Sequence, residues 1–230
     1  VTKLPIVICW AIAFGYVEAA VVEYLRAVYH PIESGGFYFP LQTIEGLRDL
    51  GQSHVRRLVI ELGREASTLI MLAATGFAAG RNFREGFAHF MIAFGIWDIF
   101  YYVWLKVFLD WPQSLMTWDL LFLLPVPWVS PVIAPIIISV VMIVSGVLIL
   151  HYESKGFELR TTAKDWLFLT AGGIVVVTAF CWDHRNISSG GMPESFFWSL
   201  FFFGLIVSAT AFAWVLYRNV FRAQIEPPKE

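Results

Sequence analysis

Five ionisable side chains, Glu18, Glu61, Arg64, Glu65 and Asp98, lie inside stretches otherwise built of residues suited to hydrocarbon. Glu61 and Glu65 are spaced i,i+4 with Arg64 beside them, so on a helix the three share one side. Asp98 would share a stripe with Tyr101 and Tyr102 at i+3 and i+4. Each ionised group near the centre of a membrane span costs about 2.5–3.5 kcal/mol, and unpaired acids there mark a site by default. Four acids and one base leave a formal −3, which protons, a bound cation, water or nearby bases must neutralise.

The elements that would carry these residues are membrane helices. The chain has 230 residues, 58% hydrophobic and 15% charged, against about 25% charged in an average soluble domain. The fold class expected is all-α, a polytopic helical bundle forming a single transmembrane domain over 1–230. At ~20 apolar residues per span, six segments qualify, near 4–27, 57–80, 86–109, 131–151, 165–183 and 195–217. Lys3 followed by Ile6 to Phe14 has the outline of a signal peptide, but Glu18 beside the would-be cleavage site Ala19-Ala20 favours a retained first helix. Nine Lys and Arg residues fall on the side of both termini and six on the other, so the termini are expected in the cytoplasm.

Depth counting then gathers the charges. At 1.5 Å per residue, Glu18, Glu61, Glu65 and Asp98 lie roughly 6–12 Å beneath the outer face, on three different helices. Glu23, Arg26, Lys106, Asp119 and Asp183 form a rim nearer the surface, while the cytoplasmic half of every span is nearly free of acids. Two connections are more than spacers. Leu41, Ile44, Leu47 and Leu50 recur every third residue, as in an amphipathic interfacial helix over 41–50. In the broken segment 113–130 the apolar run Leu115 to Leu124 is too short to span, and Pro125, Pro127 and Pro131 lack backbone donors, which predicts a short re-entrant or interfacial half-helix. Irregular backbone at that depth survives only against protein or a water-filled cavity. Gly76 with Gly80, and Gly204 with Ser208, are small-residue pairs that let helices approach closely.

Three chemistries fit the cluster. One is a cation, proton or small polar solute bound for transport or coupling, at Glu18, Glu61, Arg64, Glu65, Asp98, Tyr101 and Tyr102. A second is a divalent metal held by Glu18, Glu61, Glu65 and Asp98, with or without catalysis. Neither a Glu-x-x-His nor a His-Glu-x-x-His pattern is present to supply a mixed ligand set. The third is a structural salt-bridge network in a homo-oligomer or in a subunit of a larger membrane complex. His89 and His151 fall on one side and are weak candidates for axial haem ligation, because isolated histidines are more often interfacial. Cys9 and Cys181 fall near opposite faces, too far apart to bridge. A net charge of −2 with no basic run gives nucleic acid no footing, leaving the lipid bilayer as the partner.

Three strings, WDIFYYVWLK, TWDLLFLLPVPWVSPVIAP and CWDHRNISSGGMPESF, resemble those of an uncharacterised family of bacterial multi-pass inner-membrane proteins. The resemblance covers most of the chain from Glu61 on. It implies an inner-membrane location and carries no activity.

Overall fold

The computed structural model describes residues 3–29, 52–189 and 191–221. The expected amphipathic helix over 41–50 lies outside the described residues. Helix α1 spans Leu4–Tyr29, α2 Gln52–Ala79 and α3 Phe83–Leu109; a β-hairpin of Trp118–Phe122 (β1) and Trp128–Pro131 (β2) follows. Then come α4 Ile133–Ser154, α5 Ala163–Cys181, a short α6 His184–Ser188 and α7 Trp198–Leu216, which runs into a π turn Tyr217–Phe221.

Local chemistry sets the helix ends. The Asn82 side chain caps α3 by accepting the Glu85 N–H, and α3 stops where Asp110 adopts a left-handed conformation with its N–H on the Lys106 carbonyl. Thr162 and Asp165 form a reciprocal capping box at the start of α5. Among the described residues, five helical stretches are long and apolar enough to cross a membrane: Leu4–Leu25, Phe83–Leu109, Ile133–Ser154, Ala163–Cys181 and Trp198–Val220. The chain is a mostly helical, multi-pass membrane protein. Helix α2, which matches the expected 57–80 segment, is not among the five. Its first half carries Arg56, Arg57, Glu61, Arg64 and Glu65.

Helix α3 is the hub of the packing, with α1, α2 and α4 all against it, while α5 and α7 pack chiefly on each other. Backbones approach closely where the small residues lie. A Cβ on Gly76 would stand 2.5 Å from the Phe90 backbone, and one on Gly172 only 2.2 Å from Ser208 Oγ. Ion pairs close the end away from the hairpin. Arg84 reaches Glu153 at 2.5 Å to join α3 to α4, and Arg218 reaches Asp165 at 2.7 Å to join the π turn to α5.

The segment 113–130 is not a half-helix. Its strands pair antiparallel, Trp118 opposite Pro131, Asp119 opposite Ser130 and Leu120 opposite Val129, with a register shift before Phe122 pairs with Trp128. The prolines explain this, since they disfavour helix at the residues before them and leave extended backbone that the partner strand can satisfy. Asp119, Leu123, Val129 and Ser130 are buried. The Phe122 ring lies 6.5 Å from that of Trp97, a residue ~18 Å back from the end of α3 at 1.5 Å per residue. The hairpin therefore enters the helix bundle instead of lying across its end.

Adjacent glycines on α5 give a direct test of this packing. Gly172→Val should push α7 away and lower stability by about 1–3 kcal/mol. Gly173→Ala, whose Cβ would meet nothing within 4 Å, should raise it by up to about 1 kcal/mol. Thermal unfolding of the two purified variants in detergent checks the contrast.

Candidate functional site

The charges singled out in the sequence fall into an Arg64 group, a Glu65 contact with the hairpin and a group around Asp98, and Arg64 organises the first. It forms ion pairs with Glu18 of α1 and with Glu61 one turn earlier on α2; its Nε lies 3.0 Å from both Glu61 carboxylate oxygens. Thr68, four residues beyond Arg64, donates its hydroxyl to Glu18 at 3.2 Å. The i,i+4 spacing puts Arg64 and Thr68 on the stripe that faces α1, so this group fastens α1 to α2.

Glu65, one position on and therefore turned about 100° around the helix, faces the hairpin instead. Its two oxygens accept the Leu123 N–H at 3.0 and 2.9 Å, and the Leu124 N–H adds to it. A carboxylate from α2 thus satisfies backbone donors at the hairpin tip that neither strand can use. An unpaired buried donor costs about 1–3 kcal/mol.

The second group lies between α3, α4 and β1. Asp98, only 8% exposed, accepts the Ser139 hydroxyl of α4 at 2.7 Å. One turn on, Tyr102 donates its hydroxyl at 3.0 Å to Asp119 of β1, which is 6% exposed. Asp119, held by Tyr102 one turn beyond Asp98, lies within the electrostatic field of Asp98, and Asp98 takes part in no ion pair among the described residues. Gly95 makes the contact possible. A Cβ there would lie 2.5 Å from the Ser139 carbonyl, so glycine lets α4 close onto α3 at the height of Asp98. Tyr101 bridges the two groups, in ring contact with Trp97 and Tyr102 and within the field of Arg64.

The rim expected from the sequence does not hold as a unit. Asp119 belongs to the inner group. Lys106 is exposed and turns to Asp110 at 2.7 Å and to the Asp110 and Pro112 carbonyls, away from the buried acids. Asp183 accepts from the Asn186 amide at 3.2 Å, and Glu23 is half-buried on α1. The Arg26 side chain lies outside the described residues.

Acids also stand at the other end, just outside or at the first residue of the expected spans. Glu85 and Asp165 are buried there, Glu153 nearly so, and each is ion-paired with an arginine, Arg81, Arg218 and Arg84 respectively. At this end each buried acid has its own arginine, whereas Asp98 has none among the described residues.

The four carboxylates expected to share a metal are dispersed over Arg64, the hairpin backbone and Ser139. No group of three or more His, Cys, Asp and Glu side chains among the described residues is arranged to hold a metal ion. His89 is buried with its Nδ1 2.7 Å from the Glu85 carbonyl, while His151 is exposed. Cys9 and Cys181 are free. Sequence reasoning missed Ser139 and Thr68; Ser139 is legible in retrospect as the one hydroxyl in the apolar run IIISVVM. Two further buried donors flank Phe122: Trp97 and Trp128 both contact its ring, and neither indole N–H finds an acceptor among the described residues. Comparison with known protein families, curated proteins and solved structures finds no match.

The first group makes a sharp prediction. Arg64→Leu leaves Glu18 and Glu61 without their base and should cost about 3–5 kcal/mol. Adding Glu18→Gln and Glu61→Gln to that variant should recover part of the loss. Lys106→Ala, breaking an exposed pair, should cost under about 1 kcal/mol. Detergent-solubilised unfolding curves for the four proteins decide the matter.

Proposed function

We propose that the protein binds a proton or small cation between Asp98 and Asp119 and uses it in transport or coupling across a bacterial inner membrane. The observation that carries this reading is the placement of two buried carboxylates, one on α3 and one from the hairpin, at hydroxyl partners beside one turn of α3: Asp98 accepts from Ser139, and Asp119 accepts from Tyr102 four residues beyond Asp98. Two like charges brought together in apolar surroundings repel strongly, and a shared proton or a bound cation removes that repulsion. Tyr102 and Ser139 donate to the carboxylates and can turn an oxygen lone pair toward a cation. The Trp97 and Trp128 N–H groups beside Phe122 suit a hydrated approach to the hairpin tip.

Under this reading α2 is a sixth span. It has 28 residues, ~42 Å at 1.5 Å per residue, and it packs along α3. The hairpin is then a re-entrant element, admissible at membrane depth because Glu65 and the partner strand satisfy its backbone. The excess of Lys and Arg on the other side supports cytoplasmic termini.

Glu18, Glu61 and Arg64 act as a structural lock in this scheme, since the arginine already engages both acids. The same pairing makes them, with Glu65, poor candidates for a four-carboxylate metal site.

Vesicles reconstituted with the purified protein and loaded with a pH-sensitive dye test the proposal. Imposed proton or sodium gradients should decay faster than in empty vesicles. Asp98→Asn and Asp119→Asn should each slow that decay at least tenfold, while Lys106→Ala leaves it unchanged. Decay no faster than in empty vesicles, or Asp98→Asn behaving as wild type, contradicts the proposal.

A further inference from the structure

On the other flank of α3 lies a feature the carboxylate site does not use. Helices α5 and α7 join the rest of the bundle through two apolar clusters. One lies at the hairpin end, around Trp128, Ala134 and Phe180; the other lies at the opposite end, around Ile92, Leu150 and Val220. Between the clusters the α3–α4 and α5–α7 pairs stand apart. They leave a cleft of ≈ 860 Å³, within the range of about 300–1,000 Å³ that holds a small molecule.

The walls are apolar, with Phe87, Met142 and Phe212 facing across the space. Gly173 also lines the cleft, and a Cβ built there would meet nothing within 4 Å. Protein interiors do not leave volumes of this size unfilled, because the lining atoms forfeit their dispersion contacts. At the depth of membrane-spanning helices, the material at hand to supply those contacts is lipid hydrocarbon.

The mouth of the cleft supplies the rest of the argument. Arg84, Arg160 and Thr161 line it at the end away from the hairpin. Arg84 is held by Glu153, but the Arg160 side chain is 79% exposed and, among the described residues, pairs with the exposed Glu158. Among the described residues, that end of the molecule carries Lys3, Arg81, Arg84, Lys155, Arg160, Lys164 and Arg218 against Glu85, Glu153, Glu158 and Asp165, an excess of three positive charges. Basic pockets between spans recognise anionic headgroups, whereas a zwitterionic headgroup gains little from such a field.

We propose that this cleft binds an anionic phospholipid, with acyl chain between the α3–α4 and α5–α7 pairs and phosphate at Arg160 and Thr161. The cleft is lined by neither Asp98 and Asp119 nor their partners Tyr102 and Ser139, so this proposal stands or falls separately from that site. The lipid would complete the packing between two halves of the bundle that otherwise meet only at their ends.

Native mass spectrometry of the detergent-purified, delipidated protein, with phosphatidylglycerol or phosphatidylcholine added back, reads the occupancy. Wild type should retain phosphatidylglycerol at least fivefold better than phosphatidylcholine. Arg160→Gln should lower phosphatidylglycerol retention about fivefold, the effect of one basic residue near an anionic surface. Its main-chain carbonyl, which holds Arg218 and Asn219, is untouched. Gly173→Phe fills the cleft and should abolish retention while the protein still melts cooperatively. Should that variant fail to fold, Arg160→Gln decides alone. Equal retention of the two lipids by wild type, or undiminished phosphatidylglycerol retention in Arg160→Gln, overturns the proposal.

Discussion

A hairpin inside a helix bundle is tenable only if its backbone donors find acceptors there, and Glu65 provides that acceptor. The neighbouring residues of α2 do different work because successive positions on a helix point about 100° apart. Arg64 faces α1 and draws Glu18 and Glu61 to itself; Glu65 faces the hairpin and holds the Leu123 N–H with both oxygens. Anchoring the tip fixes the strand behind it, and that strand carries Asp119 to the Tyr102 hydroxyl and into the field of Asp98. The Glu65 contact at the tip, the pairing of Asp119 with Ser130 and the Tyr102 hydroxyl together hold the second carboxylate in place.

Pairing distinguishes the two ends of the molecule. Away from the hairpin, each buried acid has its own arginine and a second duty, Glu85 and Asp165 at helix starts and Glu153 on the Leu159 N–H. Groups satisfied in that way stabilise helix ends and have no capacity left for exchange. Asp98 has a hydroxyl partner and a like-charged neighbour in place of a base. That difference, more than burial alone, separates a site that can take up and release a charge from one that is locked.

Much of this was legible in the sequence. Hydropathy points to helices where the structure has helices, and the helical rise sets Glu18, Glu65 and Asp98 at similar distances along theirs. Gly76 and Gly80 announced a close crossing, and the crossing is there. What failed was partnership. Periodicity fixes the side of a helix on which Glu61, Arg64 and Glu65 lie, but not which neighbour that side meets; counting along the chain makes Arg64 one base among four acids, whereas it pairs with Glu18 and Glu61. The prolines of 125–131 were read correctly as incompatible with a spanning helix, yet proline is silent about whether the remaining backbone pairs with itself. Asp119 consequently fell on the rim when counted along the chain, whereas the strand folds it back to the inner group. Ser139 drew no notice because a lone hydroxyl in an apolar run is unremarkable until its acceptor is known.

The central claim is that Asp98 and Asp119 act on one shared charge. A double-mutant cycle built from Asp98→Asn, Asp119→Asn and the combined variant, read by thermal unfolding at several pH values and sodium concentrations, measures this most directly. The account predicts a coupling well above the roughly 0.5 kcal/mol seen for independent sites, and one that changes with pH or sodium. Additive effects that are the same under all conditions would contradict it.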